Sequence, residues 1–130
     1  VVAPAIGGLI IGHEAARALG ARSLFAERVD DRMVLRRGFS VRPGERVVVV
    51  EDVVTTGGST KEVVDLLASL GAEVVAALSI VCRAKAAPDV GAPFTALAHF
   101  PAAAHAAAAC PLCQAGRPIE KPGSRQEKPC

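Results

Sequence analysis

Hydrophobic and polar positions alternate in blocks along the 130-residue chain, and the blocks read as strands and helices in turn. The clearest is Val47-Val-Val-Val50, four β-branched residues in a row. An apolar run of this kind predicts a strand covered on both faces, since a half-exposed strand would alternate. Residues 59–70 place Val63, Val64, Leu67 and Leu70 on one helical face, closed by Gly71. Leu9, Ile10, Ala16 and Leu19 predict a rougher helix ending at Gly20. Val- and Ala-rich residues 73–82 predict a second buried strand, with shorter ones at 23–28 and 94–100. Val1 and Val2 are too few for a buried strand, yet they run straight into a small-residue loop, so further residues are expected before Val1.

The intervening stretches are polar or small. Residues 29–39 are charged and poorly periodic, with Asp30-Asp31 suited to a hairpin turn. Residues 42–45 and 86–93 read as turn and loop, and 101–109 are alanine-rich: propensity favours helix, against Pro101 and the low complexity. Residues 114–130, rich in Pro, Gly and charge, predict a partly extended tail. Strands alternating with helices give an α/β fold with a mainly parallel sheet. There is no internal repeat; one core domain is expected over 1–109, with 110–130 as a tail on or near it.

Composition narrows the function classes. Hydrophobic residues make up 51% and charged residues 22%, with a net charge of +2, so no basic field argues for nucleic acid. Trp and Tyr are absent, which removes an aromatic platform for base stacking. No apolar run reaches the length of a membrane span. A soluble cytoplasmic protein is expected.

The candidate chemistry follows the Val run. Glu51 and Asp52 stand where that strand should end; Val53 and Val54 follow, then Thr55-Thr-Gly-Gly-Ser-Thr60. Ser59 and Glu62 have capping-box spacing, which predicts the helix start. Glycines allow close backbone approach, and a helix N-terminus offers unpaired N–H groups, so residues 55–59 can cradle a phosphate. Carboxylates beside that cradle would repel phosphate, but they suit sugar hydroxyls one ribose length away, or a metal ion. The stretch therefore reads as a sugar-phosphate site; the alternative is an ordinary strand–turn–helix corner with solvated acids. A Walker loop is excluded, because Gly57-Gly-Ser-Thr-Lys61 lacks the G-x-x-x-x-G-K-[ST] frame. Pro4-Ala-Ile-Gly-Gly8, before the first helix, is a second anion-loop candidate or a plain turn. Arg83, at the end of a predicted strand, would point into the same crevice, or else is a surface charge. Cys82 reads as a buried small hydrophobe. Cys110-Pro-Leu-Cys113 is read as a loop turn ahead of half a zinc site or a redox pair; a mixed site with the nearby His99 and His105 is conceivable, but their spacing matches no zinc pattern.

Residues 47–60 resemble the phosphoribosyl-pyrophosphate signature of the type I phosphoribosyltransferases, and their neighbours resemble the orotate-specific branch. The likeness is strong at 47–60, and Pro4–Gly8 and the Cys110-to-Arg125 stretch agree with it. The resemblance implies the type I phosphoribosyltransferase fold and Mg²⁺-dependent transfer of ribose 5-phosphate from phosphoribosyl pyrophosphate to orotate, a step of pyrimidine biosynthesis. It assigns catalysis to Glu51 and Asp52. Phosphoribosyl pyrophosphate binding falls to these two, to Val53, Val54, Thr55, Thr56, Gly57, Gly58 and Ser59, to the pyrophosphate loop Ala5, Ile6, Gly7 and Gly8, and to Arg28. Orotate falls to Thr55 and Arg83, and Mg²⁺ enters with the substrate, without a dedicated side-chain site. It implies a homodimer in which a mobile loop, here 29–39, closes over the adjacent subunit. That loop commonly carries Lys and His, whereas this chain has Arg28, Arg32, Arg36 and Arg37. In that family the hood over the base comes from an N-terminal segment, which is expected to precede Val1 and to be missing from these 130 residues. A transferase for another base, such as a purine, and a regulatory phosphoribosyltransferase-fold protein that binds nucleic acid are the alternatives.

Overall fold

The Val run lies at the centre of a six-stranded sheet. A computed structural model describes residues 1–103 and 105–117. The strands are β1 (Val2–Pro4), β2 (Leu24–Val29), β3 (Arg32–Leu35), β4 (Arg46–Val54), β5 (Glu73–Cys82) and β6 (Phe94–His99). Their order in the sheet is β3-β2-β1-β4-β5-β6. All neighbours are parallel except β2 and β3, which form an antiparallel hairpin. Helix α1 (Leu9–Leu19) links β1 to β2, and α2 (Gly58–Ser69) links β4 to β5.

The two helices cover opposite faces. Neighbouring residues on a strand point to opposite sides. Ala3 meets Gly12 of α1, where an added Cβ would lie 2.6 Å from the Ala3 Cβ. Val2 instead joins Val47, Val49, Val63, Val64 and Leu67 in the core beneath α2. Burial of this cluster is what holds α2 to the sheet, each fully buried Val or Leu contributing roughly 1.5–3 kcal/mol.

Several sequence expectations change here. β1 is three residues long and wholly buried, because β2 and β4 flank it on both edges. β4 does not stop at the acids but runs through them to Val54, held by pairing of Val53 with Val81 and Val54 with Cys82. The expected capping box is absent: α2 starts at Gly58 with Gly57 as its N-cap and no side-chain cap. Glu62 instead pairs with Arg28, Nη2 to Oε2, at 2.7 Å. The hairpin turn read at Asp30-Asp31 is borne out: it joins β2 to β3, and residues 36–39 follow that hairpin. Asp30 and Asp31 take positive φ (46° and 61°), the primed turn that matches strand twist, and Glu27 faces both Arg36 and Arg37 across it. Of the described residues in 101–109, only Ala107–Ala109 are helical, as a 3₁₀ turn. A one-turn helix α3 (Pro111–Gln114) follows. The tail expected to be extended, the likeness at 121–125 and Cys130 lie outside the described residues.

Candidate functional site

The sheet order decides where a ligand can bind. From β1 the chain passes through α1 to β2 on one side; from β4 it passes through α2 to β5 on the other. The crevice between the carboxyl ends of β1 and β4 is thus the switch point, where open α/β sheets take their ligands. Two loops flank it: residues 5–8 after β1, and 55–57 after β4.

These are the two small-residue loops of the sequence, and the structure brings them together through Asp52. A Cβ on Gly7 would lie 2.7 Å from Asp52 Oδ2 and 2.8 Å from Oδ1. Only a glycine lets the 5–8 loop come this close to the carboxylate. The Asp52 carboxylate is itself held, since Oδ1 accepts the Val53 N–H at 2.8 Å. Gly8 is equally confined, with Pro4 O at 2.9 Å and Val50 O at 3.1 Å from its missing Cβ. The Ala5–Ile6 peptide bond is cis.

Glu51 is a different kind of acid. Its side chain is 8% exposed, and its Oε1 accepts the Asp52 N–H at 3.3 Å. Burial first, then a hydrogen bond to the Asp52 carboxyl and repulsion from its charge, push the Glu51 pKa up to about 8. At neutral pH Glu51 therefore holds its proton. Ser79, opposite Glu51 in the β4–β5 register, is also buried, and its hydroxyl lacks a partner among the described residues.

The 55–57 loop leads into the first turn of α2. Among the described residues the N–H groups of Thr55, Thr56 and Gly57 find no acceptor, and that of Gly58 reaches the Thr56 hydroxyl at 3.4 Å. The first-turn N–H groups of a helix add to this set. The missing side-chain cap thus leaves donors that an anion can accept from. Gly57, at φ 83°, packs where its Cβ would meet Pro88 and Val90 at 2.9 Å, so the 86–93 loop buttresses the cradle. The amino-acid order implies a loop at 86–93 but not this role; an apolar Val90 amid turn residues, fully buried in the structure, was the available signal.

A cavity of ≈ 380 Å³ opens beside the cradle, lined by Thr55, Thr56, Arg83, Ala84, Lys85, Ala102 and Ala103. Thr55 and Arg83, paired from the sequence, do share one pocket. Arg83 is fixed at its edge, its N–H donating to Val54 O at 2.7 Å. Lys85 was missed; its place two residues beyond Arg83, hence on the same side, was the only hint. Arg28 sits elsewhere. It bridges the Asp31 carbonyl (2.7 Å) and Glu62, tying the hairpin turn to the first turns of α2. Among the described residues no group of three or more His, Cys, Asp or Glu could hold a metal ion.

A family model described as "Phosphoribosyl transferase domain" matches residues 1–100. The orotate phosphoribosyltransferase of Thermotoga maritima is 55% identical over 125 residues, covering 96% of this chain and 67% of that protein. That of Caldanaerobacter subterraneus subsp. tengcongensis is 52% identical over 126 residues, covering 97% of this chain. The chain spans 66% of that relative's length. Among solved structures, orotate phosphoribosyltransferase from Aeropyrum pernix superposes with a TM-score of 0.58 at 26% identity, over 76% of this chain and 59% of that one. Adenine phosphoribosyltransferase from Trypanosoma brucei, in complex with AMP, pyrophosphate and ribose-5-phosphate, gives a TM-score of 0.63 at 20% identity, over 98% and 64%.

Proposed function

Because the chain belongs to the phosphoribosyltransferase family, and within it to the orotate phosphoribosyltransferases, we propose that it transfers ribose 5-phosphate from phosphoribosyl pyrophosphate to orotate. The products are orotidine 5′-monophosphate and pyrophosphate, within pyrimidine biosynthesis. The observation that carries this reading is the cavity in which Thr55 and Arg83 adjoin the open N–H groups of residues 55–57. A planar anion there lies one sugar away from a phosphate on the loop.

In the proposed mechanism, Thr55, Thr56, Gly57, Gly58 and Ser59 hold the 5′-phosphate, on the stretch that Val53 and Val54 anchor in the sheet. Ala5, Ile6, Gly7 and Gly8 receive the pyrophosphate. Asp52 and Glu51 accept from the ribose hydroxyls. As the bond from C1 to the pyrophosphate loosens, positive charge grows on the sugar, and the fixed Asp52 carboxylate stabilises it. Arg83 and Thr55 hold orotate in line, so that bond formation at C1 needs little reorganisation. No covalent nucleophile is required. Arg28 supports the cradle through Glu62 and is proposed to reach the phosphoribosyl pyrophosphate when that pair opens.

Mg²⁺ is proposed to enter bound to the pyrophosphate, which fits a crevice with two acids and no metal cluster of its own among the described residues. When bound, it neutralises charge on the leaving group. We further propose a cytoplasmic homodimer. Ile6 and Ile10, 76% and 80% exposed beside the crevice, offer an apolar surface for a second copy. In it the β2–β3 hairpin, at the sheet edge, would present Arg32 to the adjacent subunit. No described helix is long and apolar enough to cross a membrane.

The test is pyrophosphate release from phosphoribosyl pyrophosphate and Mg²⁺ with a panel of bases. Orotate should support turnover. Turnover with adenine or hypoxanthine but not orotate would sink the assignment, and retention of RNA without turnover would favour a regulatory protein.

A further inference from the structure

The group-transfer site leaves Cys110-Pro-Leu-Cys113 unused. Cys110 precedes α3 in extended backbone (φ −79°, ψ 116°), and Pro111 opens the turn. The Gln114 N–H donates to the Cys110 carbonyl and the Gly116 N–H to the Cys113 carbonyl, each at 3.0 Å. Residues three apart on such a turn lie side by side. The Cys110 sulfur accepts hydrogen bonds from the Cys113 N–H, the Cys113 thiol and the Leu112 N–H. Both cysteines are half-exposed, whereas Cys82 is completely buried. Among the described residues no His, Asp or Glu completes a metal cluster with them.

We propose that Cys110 and Cys113 are a redox-active dithiol, converted reversibly to an intramolecular disulfide by exchange with a small-molecule disulfide. Cys110 is the attacking sulfur and Cys113 the resolving one. The Cys110 thiolate attacks one sulfur of RSSR, forming the mixed disulfide Cys110–S–S–R and expelling RS⁻, which takes up a proton. Cys113 then loses its proton to solvent and attacks the Cys110 sulfur, and the second RS⁻ leaves and is protonated. In sum, two protein thiols and RSSR give one protein disulfide and two RSH, with two electrons passing to the small molecule.

The hydrogen bonds explain the division of labour. Donors aimed at Cys110 lower its pKa, so it carries more thiolate near neutral pH. Exchange rates depend on that thiolate fraction and on access to the sulfur. Cys82 has no access and does not compete.

The experiment uses the reduced, purified chain in glutathione buffers of rising disulfide content, acid-quenched, alkylated and digested with trypsin. Residues 110 and 113 fall in one tryptic peptide and Cys130 in another. The peptide holding both should lose two hydrogens and resist alkylation together. Cys113→Ser should accumulate glutathione on Cys110, and Cys110→Ser should react at least about tenfold more slowly at Cys113. The proposal is overturned if the two sites alkylate independently at every buffer composition. It is also overturned if Cys113 captures glutathione as fast as Cys110. Zinc retained by the pair and blocking alkylation until chelated, measured by metal content, would overturn it too and make the turn half of a zinc site.

Discussion

The Asp52 carboxylate occupies the space that a β-carbon on residue 7 would need, 2.7 Å from Oδ2. Gly7 lies in the loop after β1 and Asp52 on β4, so this contact sets how closely that loop approaches the strand. Gly7→Ala must push the loop or the acid aside, and Asp52 cannot yield freely while Oδ1 holds the Val53 N–H. Overpacking of this sort typically costs about 1–3 kcal/mol. We expect kcat/KM for phosphoribosyl pyrophosphate to fall about tenfold or more, with retained secondary structure by circular dichroism. Unchanged kinetics would mean that the loop spacing is not set here.

Asp52→Asn keeps the shape and removes the charge. If the acid acts on the developing sugar cation, kcat should fall about 10²–10³-fold, the usual size of one preorganised electrostatic contact. The KM for phosphoribosyl pyrophosphate should change little. Equal losses in both would reduce the role of Asp52 to ground-state binding.

Glu51 predicts a pH dependence of stability. Its folded pKa of about 8 lies above the usual carboxyl value of 4.5, chiefly through burial. Between those values the folded chain holds a proton that the unfolded chain has lost. Stability from this group therefore falls as pH rises from about 4.5 to 8 and is level beyond. Glu51→Gln has no proton to lose, so its melting temperature should overtake that of the unmodified chain as pH approaches 8. Parallel melting curves for the two proteins across pH 5–9 would refute the buried, protonated acid.

Arg83→Ala removes the guanidinium from the cavity it shares with Thr55. Charged hydrogen bonds contribute about 1.5–3 kcal/mol, so the KM for orotate should rise roughly tenfold or more. The KM for phosphoribosyl pyrophosphate should stay within about twofold, since the cavity that Arg83 lines includes no residue of the 5–8 loop. Loss of affinity for both substrates would place the base elsewhere.

Leu67→Ala tests the core. Leu67 is fully buried among Val2, Val49, Val63 and Val64. The cavity should cost about 2–5 kcal/mol in denaturant unfolding. Because the proposed phosphate cradle lies at the N-terminus of α2, activity should be lost at a lower denaturant concentration as well.

Much of this was legible in the amino-acid order. Four consecutive Val residues can satisfy their surfaces only in the middle of a sheet. Helix–strand alternation then forces parallel crossovers, and the Thr/Gly/Ser bend after the acids marks an anion cradle by local chemistry alone. Gly20 and Gly71 end their helices in left-handed backbone, φ 61° and 82°, as their positions implied. These are local properties, set by residues close in sequence.

What folding added depends on residues distant in sequence. Ser59 and Glu62 had the right spacing for a cap, but Arg28 from β2 claims Glu62, so the α2 donors stay open. Glu51 and Asp52 look alike as neighbours. Packing against β5 buries Glu51 and raises its pKa, while the loop after β1 brings Gly7 against Asp52. Lys85, Pro88 and Val90 gained their places only when β5 settled beside β4. Side-chain type and spacing thus prescribed the strands, the cradle and the acids by themselves. Which acid is buried, which donors remain free and what lines the cavity were decided by desolvation and close contact between separate strands, and these exist only in three dimensions.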